Sequence, residues 1–175
     1  MRRLPLRKLL LVAALGATLA LAGCFWLALR TRTLDAGAME PFASVVGRDL
    51  PLLREVRIVR TRAPDVIERP FRLIADPRQP ASDDEPAPIA VPAGTVVRFD
   101  AARLVRGGVS GATHPVLLGT LRLGDTAYPL EYSWGERRFL DAEGRVSQGP
   151  PLRFLFPLAP WQQAADPTIH TFPEP

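Results

Sequence analysis

The segment LLGTLRLGDTAYPLEYSW, residues 117–134, decides the fold of this chain. Its first half alternates apolar and polar residues up to Gly124-Asp125, a dipeptide typical of a two-residue hairpin turn. Its second half alternates again, which places Tyr128, Tyr132 and Trp134 on one face. The segment therefore predicts a β-hairpin with one buried, apolar face.

The two-residue turn also fixes the register of this hairpin. It pairs Leu121 with Tyr128 and Leu117 with Tyr132, so that both apolar stripes fall on the same face. A slip by one residue would set apolar against polar side chains along the whole hairpin, and the register is therefore strongly specified. Pro129 has no backbone donor, which predicts an edge strand or a bulge at that position.

Further short strands are predicted on both sides of the hairpin, beginning near residues 55, 71, 95 and 152 and separated by turns rich in Gly and Pro. This pattern predicts an all-β fold, either a small antiparallel barrel or a sandwich, behind an N-terminal hydrophobic helix. The predicted organisation is a leader or anchor over 1–32, a spacer over 33–49, a β domain over 50–157 with a proline-rich loop at 76–92, and an irregular proline-rich tail over 158–175.

The leader determines where this domain is expected to lie. Leu9–Leu29 is a run of 21 residues without charge, and Arg2, Arg3, Arg7 and Lys8 precede it. As a helix, the run matches a hydrocarbon core of roughly 30 Å, and the basic flank favours a cytoplasmic N-terminus. A basic flank before an apolar run is equally typical of an export signal.

The tetrapeptide Leu21-Ala22-Gly23-Cys24 resembles the lipobox of bacterial lipoproteins. The resemblance implies that Cys24 is lipidated and becomes the first residue of the mature chain. The alternative is that Cys24 is an ordinary small residue in a membrane helix, since Phe25–Leu29 continues the apolar run. Both interpretations predict a domain tethered to membrane lipid and facing the periplasm or the outside of a bacterial cell.

The formal net charge of +4 belongs to the leader rather than to the domain. Six of the 22 basic residues flank the apolar run, and none of the 18 acidic residues lies before Asp35. The chain from Thr33 onward therefore carries a net charge of −2, which does not favour nucleic acid as a partner. Residues 48–78 have a local excess of three positive charges, which predicts either contact with anionic headgroups or an ordinary solvated face.

The segment Gly108-Val109-Ser110-Gly111-Ala112 is the nearest approach to a catalytic motif. It lacks the final Gly of G-x-S-x-G, and a proline follows where a nucleophile elbow needs a helix. His114 is a candidate base for Ser110, but no third member orients it. We therefore expect a flexible loop here, with a serine hydrolase that uses Ser110 and His114 as the alternative.

The sequence offers no pattern for a metal or a cofactor. His114 and His170 are the only two histidines, neither has the spacing of a metal ligand, and Cys24 is the single cysteine. The acidic trio Asp83-Asp84-Glu85 lacks the glycine and the alternating oxygen ligands of a calcium loop. We expect a domain without metal, cofactor or disulfide.

Tyr128, Tyr132 and Trp134 are candidate binding residues for a protein partner, a glycan or a small ligand. Alternating aromatic residues in a hairpin more often form the core of a small β domain, and that is the preferred interpretation. The leading functional hypothesis is a non-enzymatic, membrane-anchored envelope protein whose β domain binds a protein partner or is a structural module. Inhibition of an envelope-acting toxin, as by an immunity protein, is a specific version of this hypothesis.

Overall fold

The computed structural model describes residues 6–61, 68–76, 86–139, 149–164 and 168–175. One helix, α1 (Leu6–Ala28), precedes a mostly β fold. The strands in chain order are β1 (Arg32–Asp35), β2 (Asp49–Pro51), β3 (Val56–Arg60), β4 (Phe71–Ile74), β5 (Ile89–Val91), β6 (Val96–Arg106), β7 (Thr113–Leu123), β8 (Thr126–Ser133), β9 (Glu136–Arg138), β10 (Leu152–Phe156) and β11 (Thr168–Phe172).

These strands form two sheets. The larger sheet has the order β1-β6-β7-β8-β4-β3-β5, with β2 also paired to β6, and the smaller one has the order β11-β10-β9. Every pair is antiparallel except β4 and β8, which run parallel and make the larger sheet mixed. A mostly β fold is thus confirmed.

The prediction of an antiparallel barrel is wrong. A barrel needs its first and last strands to pair, whereas β1 and β5 lie at opposite edges of the larger sheet in the part of the chain that the structure describes. The edge strand β5 has only three residues, and Pro88 and Pro92 flank it. Proline has no backbone N–H donor, so these two prolines prevent β5 from pairing over a longer stretch with another strand, as closure of the sheet would require.

The hairpin of β7 and β8 has the predicted register. Leu121 pairs with Tyr128 and Leu117 with Tyr132, on either side of the turn at Gly124. Strand β8 is not an edge strand, since β7 and β4 flank it, and its pairing with β7 runs through Pro129 without the bulge that was the predicted alternative. Strand β4 pairs only with the two residues that follow Pro129, so the missing donor of this proline interrupts no bond to β4.

Gly119 is required where β7 crosses a bulge in β6. The pairing register shifts between Phe99 and Ala101, and Phe99 lies opposite Gly119. A Cβ at position 119 would collide with the backbone carbonyl of Arg98 and lie 2.8 Å from the Cα of Phe99. Strand β7 therefore packs against β6 more closely than any other residue type would allow.

Both sheets contribute side chains to one core. Trp134 is in edge-to-face contact with Phe42, with ring centroids 6.0 Å apart, and with Phe156, at 5.1 Å. Its indole Nε1 donates a hydrogen bond to the carbonyl of Pro157 at 2.9 Å, which satisfies the polar atom of this buried ring. Phe154 and Phe172 of the smaller sheet complete the aromatic cluster.

The segments predicted as spacer and tail belong to the folded domain, which corrects both predictions. Within residues 33–49, β1 pairs with β6, and a short 3₁₀ turn (Phe42–Ser44) buries Phe42 in the core. Within residues 158–175, β11 pairs with β10 and buries Phe172. Buried aromatic residues help to hold both segments in the core, and alternation within each segment is too short to indicate a strand.

The predicted loop at 76–92 is only partly described. Its last residues form β5, which corrects the prediction of a continuous loop, and the acidic trio 83–85 lies outside the described residues. The turn predicted at 141–144 also lies outside them. Among the described residues, no helix combines the length and the apolar character needed to cross a membrane.

The first prediction tests the tight crossing of β6 and β7. Gly119→Ala should lower the free energy of unfolding by about 1–3 kcal/mol, because the added methyl group must push one of two central strands away from its neighbour. Gly149→Ala is the matched control, since a Cβ at that position meets no atom of the described residues within 4 Å. Urea denaturation of both variants checks this, and equal stabilities would contradict the account.

Candidate functional site

The candidate site is the end of the β domain at which α1 enters it. Strand β1 begins at Arg32, directly opposite Arg106 at the end of β6. Strand β7 begins at Thr113, so the β6–β7 loop, residues 107–112, lies at this same end. The pairing of β1 with β6 therefore brings the residues that follow α1 together with this loop.

The β6–β7 loop is a compact turn that touches the end of α1. The amide of Gly107 donates to the carbonyl of Ala112 at 2.9 Å, and the amide of Gly111 donates back to Gly107 at 2.8 Å. Gly111 has a φ of +63°, a conformation that favours glycine. A Cβ on Gly108 would collide with the carbonyl of Leu29, so the loop and the chain leaving α1 are in direct backbone contact.

Apolar side chains project into solvent at this end. Val109, at the tip of the loop, is 88% exposed, and Phe139, just after β9, is 54% exposed. The ring of Phe139 lies beneath the guanidinium of Arg137, with 5.6 Å between the guanidinium carbon and the ring centroid. Exposed apolar groups beside cations are typical of surfaces that meet another phase or partner.

Arginines line the clefts at this end of the domain. Arg30, Arg32 and Arg106 line one cleft together with the glycines of the loop. Arg106 and Arg137 line a second cleft, in which Arg106 forms an ion pair with Glu174. Burial lowers the pKa of Arg137 from its usual value, while the charge of Glu174 opposes this. We call the surface made by Arg30, Arg32, Arg106, Val109 and Phe139 the helix-end surface.

Ser110 and His114 line the second cleft, so the structure brings these two candidate residues to one place. The Ser110 hydroxyl accepts the amide of Ala112 at 3.2 Å, a bond that closes the loop. Within the described residues, no hydrogen bond joins Ser110 to His114 and no acid holds the imidazole. In this structure the Ser110 hydroxyl is held by the backbone of its own loop rather than by His114.

The aromatic stripe lies mostly in the core. Tyr132 is 6% and Trp134 is 2% exposed, and Trp161 packs against both rings. Tyr128 is half-buried and meets the ring of Phe71 edge-on, with centroids 5.2 Å apart. Burial raises the pKa of the Tyr132 phenol to about 12, an effect that the charge of Arg54 opposes. These contacts fit the core interpretation of the stripe.

The remaining candidate sites lie elsewhere. Cys24 is a free, exposed thiol in α1. Among the described residues, no three side chains of His, Cys, Asp or Glu come together in a way that could hold a metal ion.

A buried acid, Glu131 on β8, was missed by the sequence analysis. Its Oε2 accepts the amide of Glu68, in the described end of the connection between β3 and β4, at 3.2 Å. The Glu68 carboxylate in turn binds Arg103 on β6 at 2.6 Å. Glu131 thus fastens this connection across the outer face of the larger sheet. Strict alternation places Glu131 on a face expected to be solvated, so the sequence carried no signal of its burial.

Burial raises the pKa of Glu131 to about 7. Hydrogen bonds from the amides of Glu68 and Arg69 and the charge of Arg72 act in the opposite direction, and the Glu68 carboxylate adds to the rise. The folded protein therefore binds a proton here between about pH 4.5 and 7 that the unfolded chain has released. Stability from this group is fully present below pH 4.5 and declines as the pH rises through 7.

Comparison with known proteins gives no relative: neither a family model, nor a curated protein, nor a solved structure matches the chain significantly.

The second prediction follows from Glu131. The free energy of unfolding of the natural chain should fall between pH 4.5 and 7.5 by up to about 3 kcal/mol through this carboxyl, and Glu131→Gln should remove that part of the slope. Glu136→Gln, at an exposed position on β9, is the control and should leave the slope as it is. Denaturation curves across this pH range provide the measurement, and an unchanged slope in Glu131→Gln would show that the acid is not buried.

Proposed function

We propose that this chain is a membrane-tethered bacterial envelope protein whose non-catalytic β domain works outside the cytoplasm. The domain acts by binding a protein partner or as a structural module. The two sheets, with their aromatic core between them, are proposed to form a sandwich-like fold. The tether is α1 inserted in the bilayer, or a lipid on Cys24 if the leader is cleaved.

The exposure of the apolar side chains of α1 carries this proposal. The large apolar side chains of its described part are between 63% and 72% exposed: Leu15, Leu19, Leu21, Phe25 and Trp26. Every other residue from 15 to 26 is exposed too. The β domain therefore does not cover the described part of this helix. A helix that is apolar on all sides is stable when another apolar medium surrounds it, and a bilayer is such a medium.

The charges around the leader support the direction of the tether. Arg2, Arg3, Arg7 and Lys8 precede the apolar run, which favours retention of the N-terminus in the cytoplasm. The domain that follows would then lie on the other side. The single cysteine of the chain lies in α1, so the β domain itself has none to form a disulfide. Outside the cytoplasm, the stability of the domain therefore depends on its core.

The side chains in the clefts and in the core support a role in binding another molecule. The Ser110 hydroxyl is occupied in a loop hydrogen bond, and the rings of Tyr132 and Trp134 are buried. What the domain presents outward at its α1 end is instead a set of arginines beside exposed apolar side chains. Arginine and aromatic residues are enriched at surfaces that bind other proteins.

The third prediction tests the tether. Combining Leu15→Arg with Leu19→Arg should release the protein from membranes, because two arginines near the centre of an inserted helix cost about 5–7 kcal/mol. The paired control is Leu15→Ala with Leu19→Ala, which removes the same side chains without adding charge. Flotation of full-length protein with lipid vesicles measures the difference. Flotation of the double arginine variant with the vesicles would contradict an inserted α1.

A lipidated Cys24 would give a different pattern. Cleavage before Cys24 removes Leu15 and Leu19 from the mature chain. Substitutions at these two positions could then affect the protein only by changing how efficiently it is exported. Mass spectrometry of the membrane-bound protein distinguishes the two tethers, since the lipidated form begins at Cys24 and carries acyl chains. A full-length, unmodified chain that floats with vesicles supports the inserted helix.

A further inference from the structure

We propose that the helix-end surface docks directly onto anionic phospholipid headgroups. Val109 enters the interfacial layer, and Arg30 and Arg32 bind lipid phosphates. This inference rests on the proposed tether, but it adds a second contact that the β domain itself makes with the bilayer.

Backbone contact fixes the position of this surface. The carbonyl of Leu29 touches Gly108, and Arg32 pairs with Arg106, so the end of α1 lies directly against the β6–β7 loop in space. When α1 or a lipid on Cys24 holds the chain in a bilayer, the loop lies at the level of the headgroups. The tether keeps the loop near the lipid at a high effective concentration, so a weak contact is sufficient.

The charges at this end match anionic lipid. Arg30, Arg32, Arg106 and Arg137 line the clefts of the helix-end surface, and Glu174 is the one acidic side chain among the described residues that line them. Glu174 pairs with Arg106, which leaves a clear positive excess facing the headgroups. Guanidinium groups bind phosphate oxygens through two parallel hydrogen bonds, a geometry well suited to phosphodiester headgroups.

The apolar part of the surface matches the interfacial layer. Val109 stands at the tip of the loop and is the most exposed large apolar residue of the described domain. Phe139 lies at the same end of the domain, where it lines the second cleft with Ser110 and lies under the guanidinium of Arg137. An apolar tip rimmed by arginines can insert its side chain between headgroups while the arginines bind phosphates. These residues differ from the arginines of the 48–78 span that the sequence analysis singled out.

Hydrogen exchange on the full-length protein tests this inference. The amides of residues 107–111 should exchange several-fold more slowly on vesicles that contain phosphatidylglycerol than on vesicles of phosphatidylcholine alone. The turn at residues 124–125 is the internal control, because it lies at the other end of β7, about 33 Å away by strand geometry. Its exchange should be equal on both kinds of vesicle.

Matched variants separate the two parts of the contact. Val109→Asp should abolish the protection of residues 107–111, whereas Val96→Asp, at an exposed position on the opposite end of β6, should leave it unchanged. Arg30→Gln should reduce the protection about fivefold, the effect of one charge near an anionic surface, and Arg122→Gln, an exposed arginine on the far side of the domain, should not.

Flotation of each sample distinguishes the failure of this inference from the failure of the tether. Protein that floats with anionic vesicles but shows no added protection of 107–111 overturns the docking contact and leaves the tether intact. Protein that does not float overturns the tether. Equal protection by inorganic phosphate on phosphatidylcholine vesicles, or equal protection on both lipids, would also overturn a docking contact with anionic lipid.

Discussion

The ladder of hydrogen bonds between β6 and β7 is the constraint on which the rest of the structure depends. These two strands, each of 11 residues, are neighbours in the larger sheet, with β1 and β2 paired on one side of them and β8, β4, β3 and β5 on the other. Gly119 allows them to pack closely at the bulge, and every other strand of that sheet is attached through them or through β8. Their two ends therefore define the two ends of the domain.

This ladder also sets the position of the functional residues. At one end, β6 and β7 are joined by the loop that carries Val109 and Ser110, and β1 pairs alongside so that the chain leaving α1 meets that loop. At the other end, β7 and β8 are joined by the turn at Gly124. One pairing register thus places the cations of the leader next to the cation that ends β6, although more than 70 residues separate them in sequence.

Local patterning explains which parts of the fold could be predicted. The register of β7 and β8 follows from a two-residue turn between alternating segments, and the β-branched residues after Glu55 indicate β3. The parallel contact of β4 with β8 could not be predicted, since it joins strands more than 50 residues apart without a turn between them. Phe42 and Phe172 were missed for a related reason, because one buried ring in an irregular segment produces no periodicity.

The candidate site also divides into features that the sequence predicts and features that only the folded structure shows. The apolar leader and its basic flank are visible in the sequence because they depend on composition alone. The helix-end surface is not visible there, since it requires β1 to pair with β6 before Arg32 and Arg106 become neighbours. One feature of the sequence could have indicated Val109. It is an apolar residue inside a glycine-rich turn, where a side chain has no partner to pack against.

The account rests on the claim that the leader holds the β domain outside the cytoplasm. The most direct measurement is a pair of fusions to the C-terminus of the full chain, one to alkaline phosphatase, which is active only after export, and one to a fluorescent protein that matures only in the cytoplasm. The account predicts an active phosphatase and a dark fluorescent fusion. A fluorescent fusion with an inactive phosphatase would place the domain in the cytoplasm and contradict the account.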